Sequence, residues 1–210
     1  MITKWSYNPL GGLRQSIKEL VKENNYISID VGASMNPWSY PECNTFIDTI
    51  APNIDGVKFF KINLENENDR NDFLKYVEAN GKFDFSICSH TAEDIFNPID
   101  AINFLMKISN RGYISIPSKY NEFRKLYNQP YRGNAHHKQF FDIQNNKLVI
   151  FPKFSFIEND ERSDFVLQQS KGEELNIFWE GNIEFSVFGN GIPYNGDISL
   201  MSDFYKQLLD

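Results

Sequence analysis

The sequence predicts an α/β fold in which a Rossmann-like, mostly parallel sheet of seven strands carries helices on both faces. Short apolar runs alternate with amphipathic stretches as far as Ser118, the order expected of strands and crossover helices. The runs are rich in Val, Ile and Phe, which is typical of strands buried on both faces. A hairpin pattern then replaces the alternation and predicts a closing antiparallel addition. We therefore expect one domain over residues 1–210, with a core at about 11–153 and a C-terminal extension at about 154–210.

The first part of the chain predicts a helix, three strands and a second helix. Gly11–Asn24 predicts an amphipathic helix, because its apolar residues return at intervals of three and four. Strands are predicted at Tyr26–Val31, Asn44–Ile50 and Val57–Leu64. The polar run Asn63–Asp72 is interpreted as a solvated loop that leads into a helix at Asp72–Asn80.

The second part continues the alternation and then changes character. It predicts a strand at Lys82–Ser89, a helix at Pro98–Ser109, a strand at Gly112–Ser118 and a short helix at Tyr120–Tyr127. A hairpin over His137–Lys153 turns at Asn145 and Asn146. Beyond it the sequence indicates a helix near Asp164–Glu174, a strand-like run at Ile183–Gly189 and a terminal helix at Ser199–Leu209.

Composition limits the classes of partner. A net charge of −7 and a pI near 5.0 disfavour binding to a phosphate backbone, so we expect no nucleic acid partner. The chain has no long uncharged apolar run that would predict a membrane helix, and its first residues do not resemble a signal peptide, so a cytoplasmic location is expected. Cys43 and Cys88 lack the spacing of zinc ligands and are expected to be free buried thiols.

Candidate contact residues, most of them polar, lie at the carboxyl ends of the predicted parallel strands, where open α/β sheets bind their ligands. They are Asp30 with Gly32, Asp48, Asn63 with Leu64, Ser89 with His90, and Ser118. A glycine at this position lets a ligand approach the main chain closely. Asp48 follows Asp30 at a spacing close to that of an acidic residue that binds a ribose diol. The alternative, that both aspartates are helix caps or turn residues, stays open.

Several of these segments resemble a known family. YISIDVGASMNPW, FIDTI, FKINLEN and KFDFSICSHTAEDIFNPIDAINFLMKI followed by RGYISIPS resemble class I S-adenosylmethionine-dependent methyltransferases. The similarity is to a type 11-like branch, whose fourth strand runs into a pattern of the kind FD-x-V-x-x-x-H-x-L-E-H-x-x-x-P. It covers about Tyr26–Ser118, and its most specific part is Phe83–Pro98. The resemblance implies a methyltransferase that uses S-adenosylmethionine.

The resemblance also implies a set of cofactor contacts. They are Asp30, Gly32 and Ala33 at the methionine part, Asp48 at the ribose, Asn63 and Leu64 at the adenine, and Ser89 and His90 at the sulfonium. The sequence departs from the family pattern at the first loop, where Ser34 and Asn36 occupy the second and third glycine positions. It departs again at Asp94, which replaces the usual histidine after Glu93.

The histidines are the candidates for catalysis. Methyl transfer depends mainly on holding the two reactants together, and a general base helps only where the acceptor must lose a proton. Histidine suits that role, so His90, His136 and His137 are candidates, with His90 preferred for its place at a strand end. Neighbouring side chains on a strand point to opposite faces, so at most one of the adjacent pair would face the pocket. Alternatively, one is a surface residue and the other packs on Tyr131.

The segment around Arg132 either grips an anionic acceptor or is an ordinary surface loop. We predict no metal site from the histidines with Asp30 and Asp94, because no two of them form a closely spaced pair on one helix or strand face.

Two functions remain open on the sequence. The first is a methyltransferase with a small-molecule or carbohydrate-like acceptor. The alternative, motivated by the glycine-poor loop, is a non-catalytic methyltransferase-like binding or regulatory subunit. A nicotinamide-dependent oxidoreductase is excluded, because GASMNP lacks the G-x-G-x-x-G spacing. The acceptor and the oligomeric state stay open.

Overall fold

The computed structural model describes residues 1–125, 132–153 and 172–187, which form ten strands and four α-helices. The strands are β1 (Ile2–Asn8), β2 (Ser28–Val31), β3 (Thr45–Asp48), β4 (Lys58–Lys61), β5 (Phe85–Ser89), β6 (Arg111–Pro117), β7 (Gln139–Gln144), β8 (Lys147–Pro152), β9 (Glu174–Glu180) and β10 (Phe185–Val187). The helices are α1 (Arg14–Glu23), α2 (Glu67–Asn80), α3 (Pro98–Ile108) and α4 (Lys119–Phe123), and a 3₁₀ helix covers Ala92–Asp94.

Seven strands form the central sheet, in the order β1-β9-β6-β5-β2-β3-β4. The five strands from β6 to β4 are parallel, and β9 runs antiparallel to both of its neighbours. The chain goes from β2 outwards to β3 and β4, then returns through α2 to place β5 on the other side of β2. This reversal creates a crevice at the carboxyl ends of β2 and β5, the usual place for a ligand in such sheets.

Helices cover both faces of the sheet, as the sequence predicted. On one face α1 buries Ile17 and Val21 in a cluster with Phe46 and Ile87. On the other face α2 and α3 contribute to the larger core, which includes Ile102. The predicted Rossmann-like α/β fold is therefore confirmed, and the reversal of strand order fixes where its crevice lies.

The predicted hairpin is present, and it belongs to a second sheet. β7 and β8 pair antiparallel around Asn145 and Asn146, whose φ angles are 49° and 60°, and β10 adds to β8 to give the order β10-β8-β7. The central sheet is completed instead by β9 and by the N-terminal β1, neither of which was predicted. β1 is a half-exposed edge strand, so its sequence lacks the continuous apolar run of the parallel strands.

Some predicted elements have different bounds or lie outside the described residues. α2 begins five residues before the predicted helix, because Asn66 caps it by accepting a hydrogen bond of 2.9 Å from the Asn68 N–H. The helix predicted near Asp164–Glu174 lies outside the described residues except for its end, where Glu174 begins β9. The predicted terminal helix at 199–209, and residues 126 and 127 of the predicted short helix, also lie outside them.

Two further expectations concern the cysteines and the membrane. Cys43 and Cys88 are free and buried, as predicted. Among the described residues, the helices are too short or too polar to cross a membrane.

Candidate functional site

A cavity of about 350 Å³ lies at the carboxyl ends of β2, β3, β4 and β5. Its size is within the range of small-molecule sites. The lining residues come from the end of β3 and from the four loops that follow these strands: Gly32, Ser34, Ile47, Asp48, Thr49, Ile62, Asn63, Leu64, Glu65, His90, Thr91, Asp94 and Ile95. Five residues selected from the sequence are therefore brought together: Gly32, Asp48, Asn63, Leu64 and His90.

Three other predicted contact residues do not line this cavity. Asp30 is buried in the sheet, where its Oδ2 accepts a hydrogen bond of 2.6 Å from Ser39 Oγ. Burial raises the pKa of Asp30 to about 7. Ala33 packs in the core beneath α1, and Ser89 ends β5 with its carbonyl oxygen accepting a hydrogen bond from Thr91 Oγ1. These residues support the loops behind the cavity.

Gly32 adopts a φ of 78°, and its missing side chain makes room for another residue of this chain. A Cβ built on Gly32 would lie 2.0 Å from Thr91 Oγ1. The sequence predicted that a ligand would use this space, and Thr91 fills part of it instead. The Gly32 N–H is also occupied, because it donates a hydrogen bond of 2.8 Å to the Ile47 carbonyl oxygen.

Asp48 fixes the shape of the first loop. Its Oδ2 accepts a hydrogen bond of 2.8 Å from the Ser34 N–H, and its Oδ1 accepts bonds of 2.6 and 3.2 Å from the N–H groups of Thr49 and Ile50. Ser34 has a φ of 60°, so it adopts a left-handed conformation that glycine takes more readily than serine. A carboxylate oxygen accepts about two hydrogen bonds, so Asp48 Oδ2 retains one acceptor position.

Asn63 and Leu64 form the wall beyond β4. The Asn63 N–H donates to Asp69 Oδ2 at 2.8 Å, and its side-chain oxygen accepts from the Glu65 N–H at 2.9 Å. Because both groups hold the loop, the side-chain NH₂ of Asn63 is the donor available to the cavity. Leu64 and Ile62 add apolar surface beside it.

His90 is held between two buried carboxylates. Its Nε2 lies 2.6 Å from Glu174 Oε1, and its Nδ1 lies 3.3 Å from Glu93 Oε1. Burial alone would lower the pKa of His90, but the hydrogen bonds and charges of Glu174 and Glu93 outweigh it and raise the pKa to about 9. His90 is therefore an imidazolium at neutral pH and has no free lone pair. A protonated ring cannot accept a proton, so the raised pKa weighs against the general-base role predicted for His90, which stays a prediction, and the residue lines the cavity.

The adjacent histidines lie outside the cavity lining and approach it through Asp94. Both precede β7, so the alternation of side chains along a strand does not apply to them. The Nε2 atoms of His136 and His137 lie 3.9 and 4.0 Å from Asp94 Oδ1, and Asp94 lines the cavity. Tyr131, the alternative packing partner, lies outside the described part of the chain. Arg132 is buried and donates to the Phe123 carbonyl oxygen, so it does not form an exposed grip for an anion.

The cavity is acidic. Its thirteen described lining residues include three carboxylates, on Asp48, Glu65 and Asp94, and one imidazolium, on His90, with no Lys or Arg among them. The lining side chains alone sum to about −2 at neutral pH, and Lys138, whose Nζ lies 3.7 Å from Glu65 Oε1, offsets one of the carboxylates, so the wall retains a net charge of about −1. Such a wall attracts a cationic ligand and repels a polyphosphate.

Thr91, Glu65 and Glu174 belong to the site and were not predicted from the sequence. Thr91 follows His90 directly, so its place at the loop was available as a signal. Glu174 is separated from His90 by 84 positions and joins it through the pairing of β9 with β6, for which the sequence carries no local signal.

No family model and no curated protein matches the chain. Among solved structures, it is similar to the methyltransferase domain of a bacterial CtHen1, with 9% identity over 82% of this chain and 100% of that one, and a TM-score of 0.41. The N-terminal domain of EvdMO1, solved in the presence of SAH and D-fucose, has 11% identity over 81% and 83% of the two chains and a TM-score of 0.34. PH1948 of Pyrococcus horikoshii, described as a candidate RNA methyltransferase, has 11% identity over 82% and 84% and a TM-score of 0.33. Since these TM-scores are below 0.5, the evidence for function comes from the cavity of this chain itself.

Proposed function

We propose that the chain is an S-adenosylmethionine-dependent methyltransferase that binds its cofactor in the cavity and acts on a small-molecule or carbohydrate-like acceptor. The proposal rests on the meeting of residues from separate strand ends at one cavity. Gly32, Asp48, Asn63, Leu64 and His90 lie at or just beyond the carboxyl ends of four separate strands, and they line one cavity of about 350 Å³. These five are among the eight residues that the family resemblance implies as cofactor contacts.

The polar groups of the cavity suit a nucleoside. Asp48 Oδ2 has one acceptor position left for a ribose hydroxyl. The Asn63 side-chain NH₂ can donate to a ring nitrogen of adenine, and Leu64 supplies apolar surface for the ring. These three residues would hold the nucleoside half of the cofactor.

Charge supports a sulfonium ligand. When bound, S-adenosylmethionine would supply a methyl group on a positively charged sulfur. A nucleophile of the acceptor would attack the methyl carbon, and the sulfur would leave as a neutral thioether. The protein contributes an acidic wall that attracts this charge, and it positions the two reactants within reach of each other. S-adenosylhomocysteine lacks the sulfonium charge, so we expect the acidic wall to strengthen its binding less than that of S-adenosylmethionine.

Thermal unfolding with and without ligand tests the proposal, because a ligand that binds the native state stabilises it. We expect millimolar S-adenosylmethionine to raise the melting temperature, and Asp48→Ala to reduce that increase. Asp72→Ala is the matched control, because Asp72 is exposed on α2 and forms a surface ion pair with Lys75. An increase that is equal in Asp48→Ala and Asp72→Ala would show that the ligand does not use this cavity.

A second function, a non-catalytic methyltransferase-like binding or regulatory subunit, is favoured by one observation. Thr91 fills the space beside Gly32, and the N–H groups of Gly32 and Ser34 already donate to protein acceptors. The methionine part of a cofactor would therefore find few donors at this loop. Absence of any thermal shift with S-adenosylmethionine or S-adenosylhomocysteine would support this second function over the first.

A further inference from the structure

We propose that Asp94, His136 and His137 form a binding site for one divalent first-row transition-metal ion beside the cavity. Each residue offers one ligand atom, and these three atoms lie within 4.8 Å of one another. Two imidazoles and one carboxylate form a donor set that suits Zn²⁺, Co²⁺ or Ni²⁺ better than Mg²⁺ or Ca²⁺, which prefer oxygen ligands. The proposal does not depend on the cofactor.

His137 is oriented for metal binding by residues that do not touch the ion. Its Nδ1 lies 2.5 Å from Glu122 Oε1, and a carboxylate at this distance accepts the Nδ1 proton. Nδ1 is thus the nitrogen that contacts the carboxylate, and Nε2 is the nitrogen that faces Asp94. A carboxylate behind a histidine is the usual arrangement at metal sites, since it fixes the tautomer and the ring orientation.

Lys153 completes this support. Its Nζ lies 3.0 Å from Glu122 Oε2, and the side chains of both residues are buried. The same ammonium group donates to the Asn134 carbonyl oxygen at 2.7 Å, in the turn that leads to the two histidines. The Lys138 N–H donates to the Glu93 carbonyl oxygen at 2.7 Å and joins this segment to the 3₁₀ helix that carries Asp94. The ligands are thus held together without an ion.

Asp94 provides an independent observation. Its Oδ1 is shielded from solvent and accepts no hydrogen bond from any described residue. The His136 and His137 Nε2 atoms lie 3.9 and 4.0 Å away, which is too long for a hydrogen bond. A buried carboxylate oxygen and two imidazole nitrogens therefore face a common space, the described residues place no donor between them, and a cation there would satisfy all three.

The distances require a small contraction. Bonds of about 2.0–2.2 Å in tetrahedral geometry put ligand atoms roughly 3.4 Å apart, somewhat closer than they are here. His136 can supply most of the movement, since 69% of its side chain is exposed. Three protein ligands leave a fourth position open for water or for an oxygen of another molecule. Asp94 lines the cavity, so that position lies near the cavity.

The composition of the chain makes the test specific. The whole sequence has three histidines and two cysteines, and both cysteines are buried in the core. We therefore expect one strong site for a transition metal on the chain when it is prepared without a histidine tag. His136 and Asp94 are not part of the hydrophobic core, so we expect variants of these residues to fold.

Titration of the apo chain with Co²⁺, followed by visible absorption, and with Zn²⁺, followed by calorimetry, tests the site without any cofactor. We expect one ion per chain. His136→Ala and Asp94→Asn should each weaken binding by more than the roughly 10- to 100-fold typical of losing an outer partner. Asp72→Asn, which changes an exposed carboxylate on α2, should bind as the unaltered chain does. Absence of binding, or equal affinity in His136→Ala and the unaltered chain, would overturn the proposal.

This result is separate from the proposed function, because the metal alone is the probe. A chain that binds Co²⁺ and not S-adenosylmethionine would retain the metal site and lose the methyltransferase proposal. The opposite result would retain the methyltransferase proposal and remove the site.

Discussion

His90 Nε2 lies 2.6 Å from Glu174 Oε1, although the two residues are 84 positions apart in the sequence. The contact joins the carboxyl end of β5 to the start of β9 at one wall of the cavity. With Glu93 on its other nitrogen, His90 is charged at neutral pH, so it acts as an electrostatic part of the cavity wall. His90 has a φ of 52°, an uncommon value for a residue with a side chain.

Removing the charge of Glu174 should lower the pKa of His90. In Glu174→Gln we expect the pKa to fall from about 9 towards the ordinary 6.5, because the largest favourable partner is lost. NMR titration of the His90 ring protons measures it. Glu180→Gln is the matched control, since Glu180 is on the same strand and is exposed. A pKa of His90 that stays near 9 in Glu174→Gln would show that Glu174 does not raise it.

The same contact predicts a dependence of stability on pH. The folded pKa of His90 is above its unfolded value, so its stabilising contribution is complete below about pH 6.5 and is lost as the pH rises through about 9. The difference in free energy of unfolding between the unaltered chain and His90→Gln should therefore decrease between pH 7 and pH 10. Urea unfolding at three pH values measures it, and a constant difference would be inconsistent with a charged His90.

The buried carboxylate of Asp30 leads us to predict a substitution that stabilises the fold. Burial raises its folded pKa to about 7, so the folded state binds a proton more tightly than the unfolded chain and loses stability as the pH rises from 4 through 7. Asp30→Asn removes the cost of the buried charge and keeps an acceptor for Ser39 Oγ. We expect a higher melting temperature than that of the unaltered chain at pH 8 and little difference at pH 5. A variant less stable at pH 8 would contradict this.

The left-handed Ser34 predicts a second stabilising change. Ser34→Gly relieves a φ of 60° at the cost of greater flexibility in the unfolded chain, so a net gain of about 0.5 kcal/mol is expected. Ser34→Ala is the control, because it removes the hydroxyl and keeps the strain. Urea unfolding compares the two, and a glycine variant no more stable than the alanine variant would show that the loop is unstrained.

The close approach of Gly32 and Thr91 predicts that substitutions at the two positions have coupled effects on stability. Gly32→Ala introduces a Cβ about 2.0 Å from Thr91 Oγ1 at a positive φ, so it should destabilise the fold. Adding Thr91→Gly should recover part of the loss, because the clash is then absent and the φ strain remains. A double-mutant cycle of unfolding free energies measures the coupling. Strictly additive effects would mean that the two residues do not meet.

The sequence predicted the parts of the molecule that depend on local pattern. The parallel strands β2 to β6 were located because they are continuous apolar runs, and their ends placed Asp48, Asn63 and His90 at one edge. β9 was missed, because an antiparallel strand far along the chain reaches the sheet through tertiary pairing. The charge of His90 was missed for the same reason, since Glu174 begins that strand.

The histidine pair shows a different limit. A metal site was not predicted, because the histidines and Asp94 form no closely spaced ligand pair on one helix or strand face. His136 and His137 lie in a turn before β7, where both Nε2 atoms approach Asp94. The position of a turn relative to a distant 3₁₀ helix depends on packing, and no spacing in the sequence encodes it.

Calorimetric titration with S-adenosylmethionine and, separately, with S-adenosylhomocysteine tests the central claim most directly. We predict one site per chain, tighter binding of the cationic ligand because the cavity wall is acidic, and a loss of that binding in Asp48→Ala that Asp72→Ala does not show. Absence of binding heat with either ligand at millimolar concentration, in a chain that is folded, would contradict the claim.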